Sequence, residues 1–196
     1  TNVIDRLYAH PDTETPWPTL GELVNRQQNV ILFYFNQPAC QPATNDNNNN
    51  DACPSPVWNY WFTYGMETEY DFANIAALDD TVNSCTPNFD SSTQRDFYKV
   101  NSFVTLPSQR ASRTLNSYDY TETRIRNCQD QVASINNNSN TNTNNNTAAA
   151  EATAVPNFYA VDFWSQGEVL EFVQDENRAR AAAVMARETA NVTGGW

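Results

Sequence analysis

Short apolar runs that alternate with helical segments constrain this chain more than any other feature of its sequence. Four runs rich in β-branched and aromatic residues occupy positions 29–35, 57–64, 98–106 and 157–164. The first of them, NVILFYF, is apolar throughout, which is typical of a strand that is buried on both faces of a parallel sheet. Segments with helical spacing of apolar residues lie at 19–27, 71–82, 117–135 and 167–190. In the first, Thr19 could cap the helix with Glu22 three residues on, and one face is shared by Leu20, Leu23 and Val24. In the third, one side carries Ile125, Cys128, Val132 and Ile135. This alternation of strands and helices predicts an α/β fold with parallel strands.

The number of strand–helix units fits part of a (β/α)8 barrel better than a whole one. A complete barrel takes about 250 residues, or about 30 per unit, whereas this chain has 196. Two asparagine-rich segments, 41–52 and 136–154, are too polar to bury a core and are predicted as loop insertions in one domain spanning 1–196. An open doubly wound sheet is the alternative, although the five glycines form no phosphate-binding loop.

The charge balance narrows the choice of partners. The formal net charge is −12, from 23 acidic and 11 basic residues. Such a surface repels phosphate backbones, so we expect no nucleic-acid partner, and it disfavours simple adsorption to anionic lipid. The acidity also has a plainer interpretation, that it keeps the protein soluble. No apolar run approaches the ~18 residues of a membrane span, so no transmembrane segment is predicted.

Four cysteines, at positions 40, 53, 85 and 128, allow two disulfides in three pairings. A Cys40–Cys53 bridge would close the first polar loop and leave Cys85 with Cys128; free buried cysteines are the alternative. The cysteines favour a secreted or lumenal protein, as do glycosylation sequons at Asn137, Asn145 and Asn191. The chain begins at Thr1 without a visible signal peptide, so we expect a processed product or a piece of a longer one.

Few residues offer catalytic or metal-binding chemistry. The only histidine is His10, so a two-histidine acid–base pair cannot form within the chain. The four cysteines form no CxxC spacing, so we expect no zinc site. Glu67, Glu69 and Asp71 alternate, and on an extended segment they would share one side and could hold Ca²⁺ or Mg²⁺. A solvated acidic face is the simpler interpretation of that run. The sequence therefore predicts no cofactor, with Ca²⁺ as the alternative.

Asp162 is the more informative acid because it lies near the end of the apolar run 157–164. In a barrel the carboxyl ends of the strands face the active site, where a carboxylate can orient a histidine or bind a cation. A structural cap on the following helix is the alternative. An aromatic cluster could stack on a sugar or inositol ring, although core packing is the favoured interpretation. It comprises Trp58, Tyr60, Trp61, Phe62 and Tyr64.

Four stretches in order resemble the phosphatidylinositol-specific phospholipase C X-domain-like family of phosphodiesterases. They are WPTLGEL at 17–23, ETEYDF at 67–72, VNSFVT at 100–105 and PNFYAVDFW at 156–164. The resemblance implies the C-terminal part of a phosphodiesterase barrel, a partial or distorted (β/α)8 TIM-type barrel. Asp162 matches the family's histidine-orienting aspartate. The family's two catalytic histidines belong to an N-terminal half that this chain lacks, and Ser102 stands where relatives often have histidine.

The implied function is a phosphoric diester hydrolase of lipid metabolism that acts, when complete, on a phosphoinositide or related head group, with peripheral membrane contact. Trp61, Asn101 and Trp164 are the candidate substrate-binding residues. The chain is either a fragment or a degenerate member without activity, and the exposed edges of a half barrel favour a fragment. One alternative is a non-catalytic secreted module that binds glycans or lipid head groups. Another is a glycosidase in which Asp162 has a partner acid within about 5–10 Å.

Overall fold

The computed structural model describes residues 3–11, 14–35, 59–88, 95–139 and 155–193. The chain divides into two compact units, Thr1–Met66 and Glu67–Trp196. The predicted insertion at 41–52 lies outside the described residues, as does most of the one at 136–154. Helices and short strands alternate in both units, so the predicted mixture of α and β structure is present.

Two pairs of parallel strands, each two residues long, form the sheets of the first unit. β1 pairs with β2, and β3 pairs with β4. Between and around them run a 3-10 helix at the start and two short helices. In chain order the elements are the 3-10 helix Val3–Arg6, β1 Leu7–Tyr8, α1 Leu20–Asn25, β2 Val30–Ile31, β3 Phe33–Tyr34, β4 Asn59–Tyr60 and α2 Trp61–Tyr64.

Helix α1 begins where the sequence predicts. The Thr19 side chain accepts a hydrogen bond from the backbone N–H of Glu22 at 3.2 Å, and the Glu22 carboxylate accepts one from the backbone N–H of Thr19 at 2.8 Å. The backbone N–H and the hydroxyl of Thr19 both donate to this carboxylate and lower the pKa of the Glu22 carboxyl group. The reciprocal bonds of Thr19 and Glu22 form the predicted capping box. Leu23 is buried, but Leu20 is 79% and Val24 59% exposed. The predicted shared buried face of these three residues is therefore reduced to Leu23.

A buried asparagine continues the hydrogen bonding of these very short strands. The Asn59 side chain accepts a hydrogen bond from the backbone N–H of His10 at 2.9 Å and donates to the carbonyls of Tyr8 at 3.1 Å and Leu32 at 3.4 Å. Asn59 is 2% exposed, so its side-chain amide bonds to these backbone groups and not to water. The Asn59 side chain thus forms the hydrogen bonds that neighbouring residues of longer strands would form with one another.

The second unit contains β6 and β7, which are parallel. With β5, which spans the boundary at residue 66, they form a three-stranded sheet in the order β5-β6-β7. The long helix α6 buries Ile125, Cys128 and Val132 along one side, as predicted for 117–135. In chain order the elements are β5 Gly65–Glu67, α3 Ile75–Asp79, α4 Thr81–Ser84, β6 Phe97–Asn101, α5 Gln109–Leu115, α6 Tyr118–Ser139, β7 Phe158–Ala160, the 3-10 helix Trp164–Gln166 and α7 Val169–Thr193.

The prediction of a partial or distorted (β/α)8 barrel is wrong. The strands that the structure describes are two to five residues long, lie in separate sheets of two, two and three strands, and do not close into a barrel. The apolar run 29–35 misled the prediction, since Leu32 is 38% and Phe35 46% exposed and the run is not buried on both faces. Within the run 57–64, the chain turns helical at Trp61.

A buried arginine joins the elements of the second unit. Arg124 on α6 is 4% exposed. Its guanidinium donates to the Asn101 carbonyl at 2.7 Å, to the Leu78 carbonyl at 3.0 Å, and to the hydroxyl and carbonyl of Ser84 at 3.0 and 3.3 Å. Burial lowers the pKa of Arg124, against the opposing effect of nearby tyrosines and an aspartate. One side chain thereby holds the ends of α3, α4 and β6 against α6.

A disulfide joins Cys85 and Cys128, one of the pairings that the sequence left open, and lies one helical turn beyond Arg124 on α6. It closes a loop with a sequence separation of 43, which stabilises the fold chiefly by restricting the unfolded chain. The predicted Cys40–Cys53 pair lies outside the described residues.

We predict that Arg124→Gln destabilises the protein by at least about 3 kcal/mol, because several buried carbonyls lose their donor at about 1–3 kcal/mol each. Urea unfolding under non-reducing conditions measures this. Arg110→Gln, on the exposed side of α5, is the matched control and should stay within about 0.5 kcal/mol of the parent. Equal unfolding midpoints for the two variants would contradict the role of Arg124.

Candidate functional site

The loop 161–167, which follows β7, forms the candidate site. Because β6 and β7 run parallel, the segments that follow them leave the same edge of the sheet. In open α/β sheets, ligands bind outside the carboxyl ends of the strands. The loop contains two of the predicted site residues, Asp162 and Trp164.

Asn116, at the end of α5, holds this loop by hydrogen bonds to its backbone. Its side-chain amide donates to the Asp162 carbonyl at 2.8 Å and to the Phe163 carbonyl at 3.1 Å. Asn116 is fully buried. Between these bonds, Phe163 has φ 46° and ψ 50°, a left-handed conformation that costs a bulky residue about 1–3 kcal/mol and persists only when its surroundings impose it. The two hydrogen bonds from the Asn116 side chain supply that constraint.

Gly167 brings the other end of the loop against the same residue. The backbone N–H of Glu168 donates to the Asn116 carbonyl at 2.7 Å. A Cβ atom on Gly167 would lie 2.4 Å from that carbonyl oxygen, which is closer than any side chain can approach. The absence of a side chain at 167 therefore allows the loop to close on α5.

The fixed loop presents an aromatic surface beside an unpaired acid. Phe163 is 43% and Trp164 60% exposed. Asp162 is half-buried, and its carboxylate has no hydrogen-bond or ion-pair partner among the residues that the structure describes. Its Cα lies at most about 7–8 Å from that of Trp164, since they are two residues apart. An aromatic face stacks on the apolar side of a sugar-like ring, and a carboxylate accepts hydrogen bonds from its hydroxyl groups.

Asn101, a further predicted site residue, lies at the end of β6 opposite Ala160 of β7. It is 2% exposed. Its side-chain amide donates to the Thr68 carbonyl at 2.8 Å, and its backbone N–H donates to the Thr68 hydroxyl at 2.9 Å. The Asn101 side chain therefore bonds within the protein instead of facing solvent beside Trp164.

Trp61, the remaining predicted site residue, belongs to the first unit. It is 2% exposed, and its ring lies 5.3 Å from that of Phe33 and 5.7 Å from that of Phe35. These contacts fit the core packing that the sequence favoured for the aromatic cluster. Trp58 of the same cluster lies outside the described residues.

The single histidine is occupied within the first unit. His10 is 5% exposed, and its ring stacks on that of Trp17 at 4.0 Å between centroids. Nδ1 lies 3.0 Å from the Tyr8 hydroxyl, and Nε2 lies 2.9 Å from the Thr15 carbonyl. Both ring nitrogens thus have partners inside the protein.

The three acids predicted as possible metal ligands, Glu67, Glu69 and Asp71, each bond to a different partner. Glu67 is buried and forms an ion pair with Lys99. Glu69 accepts hydrogen bonds from two backbone N–H groups that follow it, and Asp71 accepts one from the Thr105 hydroxyl at 2.5 Å. No group of three potential metal ligands lies together in the part of the chain that the structure describes. Calcium binding stays the alternative to the predicted absence of a cofactor.

A cleft of about 200 Å³ borders α3 and α6 and is lined by Leu78, Asp79, Thr81, Tyr120, Thr123, Arg124 and Asn127. Its only guanidinium, that of Arg124, already directs its N–H groups to protein acceptors. Tyr120 donates to Asp79 at 2.7 Å, and burial together with this carboxylate raises the pKa of Tyr120. Arg124, Tyr120 and Asp79 thus already form hydrogen bonds within the protein, which favours the loop 161–167 as the candidate site.

Sequence reasoning did not assign roles to Asn116, Phe163 and Gly167. Nothing local marks Asn116 as the partner of a segment 46 positions away. A glycine soon after an apolar run was the one available signal, since an isolated glycine often marks close backbone approach.

We predict that Gly167→Ala destabilises the protein by about 1–3 kcal/mol, the usual cost of inserting a methyl group where none fits. Thermal unfolding measures this. The control is Gly21→Ala in α1, where the nearest atom to an added Cβ is 3.9 Å away and a gain of about 0.5–1 kcal/mol is expected. A melting temperature for Gly167→Ala at or above that of the parent would show that the loop does not depend on this contact.

None of the described helices is long and apolar enough to cross a membrane. Comparisons with protein-family models, with curated proteins and with solved structures return no match for this chain. The resemblance to phospholipase C-like phosphodiesterases therefore stays a prediction from the four sequence stretches.

Proposed function

We propose that the second unit is a non-catalytic binding module that recognises a polyhydroxylated ring on the loop 162–164. The ring belongs either to a glycan or to the inositol of a lipid head group. The observation that carries the proposal is the 60% exposure of Trp164 on a loop that Asn116 and Gly167 hold in one conformation. A large aromatic side chain exposed on a rigid loop binds with little loss of conformational entropy.

The charge of the chain favours a neutral ligand over a phosphorylated one. The formal net charge is −12, and the unpaired Asp162 carboxylate repels phosphate at the site itself. Hydroxyl groups, in contrast, donate to a carboxylate, and such charge-assisted hydrogen bonds are stronger than neutral ones. A neutral sugar ring therefore suits this surface best.

Phosphodiester cleavage is the weaker candidate for this chain by itself. The mechanism that the resemblance implies needs two histidines for proton transfer, and the sequence contains one. That histidine, His10, has both ring nitrogens engaged. Hydrolysis in a longer product and a glycosidase activity based on Asp162 stay predictions. Secretion also stays a proposal, which the Cys85–Cys128 disulfide supports.

A glycan array followed by calorimetric titration of the best ligands tests the proposal, with free myo-inositol as the second arm. We predict that Trp164→Ala weakens binding at least about tenfold, or about 1.4 kcal/mol, while Trp164→Phe retains part of the affinity. Asp162→Asn should weaken binding of hydroxyl-rich ligands more than it changes stability. Binding to array glycans but not to inositol identifies a glycan ligand, and the reverse identifies a lipid head group.

Phe158→Ala is the matched control for Trp164→Ala. Phe158 is also exposed, at 42%. It is the first residue of β7 and so lies at the end of that strand opposite the loop. Its removal should leave binding unchanged. If neither arm binds the parent protein, or if Phe158→Ala and Trp164→Ala weaken binding equally, the proposed site is wrong.

A further inference from the structure

Arg113 on α5 lies beside the loop 161–167 and has no carboxylate partner among the residues that the structure describes. It is exposed, and its Nε donates to the side-chain oxygen of Gln166 at 3.2 Å. Both terminal nitrogens of the guanidinium lack a hydrogen-bond or ion-pair partner in the same part of the chain. Because these nitrogens carry the remaining N–H donors of the side chain, Arg113 can bond to a ligand without breaking its bond to Gln166.

The bond to Gln166 places Arg113 on the side of α5 that contacts the loop. Gln166 ends the 3-10 helix of the loop, and its backbone N–H donates to the Phe163 carbonyl at 2.8 Å. Arg113 lies three residues before Asn116, so the two side chains are neighbours on one side of α5. Asn116 bonds to the first part of the loop and Arg113 to the last. The same side of α5 therefore presents Arg113 next to the aromatic surface.

Arg113 and Asp162 offer opposite kinds of hydrogen bonding beside this surface. The Asp162 carboxylate only accepts, whereas the guanidinium only donates. No ion pair joins these two side chains, so each remains available to a ligand. A hydroxyl group both donates and accepts. A ring with two adjacent hydroxyl groups can therefore donate to Asp162 and accept from Arg113 while one of its faces stacks on Trp164, which is 60% exposed.

We propose that Arg113 is a second polar contact of this site and selects neutral rings that carry a pair of adjacent free hydroxyl groups. The inference rests on the proposed function, because it takes Trp164 and Asp162 as ligand contacts. Arg113 donates to the oxygen of one hydroxyl group, and Asp162 accepts the hydrogen of the neighbouring one. A few placed polar groups of this kind fix the orientation of a ligand and give a site its specificity.

Calorimetric titration with neutral rings tests the proposal, using myo-inositol and the methyl glycosides of glucose, galactose and mannose. Arg113→Met, which keeps a long side chain but removes every donor, should weaken binding at least about tenfold. Arg110→Met removes the same charge three residues earlier on the exposed side of α5 and should bind as the parent does. Thermal unfolding checks that both variants remain folded.

Deoxy analogues of the best-binding ring separate contact with the ligand from support of the loop. Each hydroxyl group is replaced in turn by hydrogen. One analogue should bind the parent at least about tenfold more weakly than the intact ring does. The same analogue and the intact ring should bind Arg113→Met equally, because the donor and its acceptor are then both absent.

The outcomes distinguish this inference from the proposed function. If Arg113→Met binds as the parent does while Trp164→Ala does not, Arg113 is not a contact and the proposed function stands. If every deoxy analogue loses the same factor in Arg113→Met as in the parent, Arg113 only supports the loop and the inference is wrong. Tighter binding of methyl glucuronide than of methyl glucoside would overturn the preference for a neutral ring. A parent chain that binds none of these rings overturns both proposals.

Discussion

Buried side chains that satisfy backbone carbonyls are the interaction on which this structure depends. The strands in the described part of the chain are two to five residues long, so pairing between strands can satisfy only a few peptide groups. Burying such a group unpaired costs about 1–3 kcal/mol. In the first unit Asn59 fills this role, and in the second unit Arg124 does so for carbonyls from three elements. These side chains thereby satisfy buried carbonyls at the ends of short helices as well as short strands.

The same principle shapes the candidate site. Asn116 gives its amide hydrogens to two successive carbonyls in the loop after β7, and one of those residues, Phe163, has an unfavourable backbone conformation. The loop therefore keeps one shape without contributing much apolar surface of its own. Its aromatic side chains remain available to solvent, as does the carboxylate of Asp162. Rigidity of the backbone together with exposure of the side chains is what a binding surface requires.

Local patterns in the sequence predicted local features well. The capping box at Thr19 and the buried side of α6 both follow from spacings of three or four residues. The Cys85–Cys128 pair was one of three pairings that the sequence left open. The barrel failed for a physical reason: an apolar run indicates burial but does not specify how many strands lie beside it. The hydrogen-bond partners of the Asn116 and Arg124 side chains lie 23 to 47 positions away, and these bonds depend on tertiary packing that no local pattern encodes.

The central claim is that Trp164, on a loop fixed by Asn116, contacts a hydroxyl-rich ring. Nuclear magnetic resonance of the labelled protein tests it most directly, with the indole N–H signal of Trp164 assigned by its loss in Trp164→Phe. During titration with a bound oligosaccharide or inositol, that signal and the Asp162 amide should shift together while the indole signal of the buried Trp61 stays in place. Shifts at Trp61 without any change at Trp164 would contradict the account.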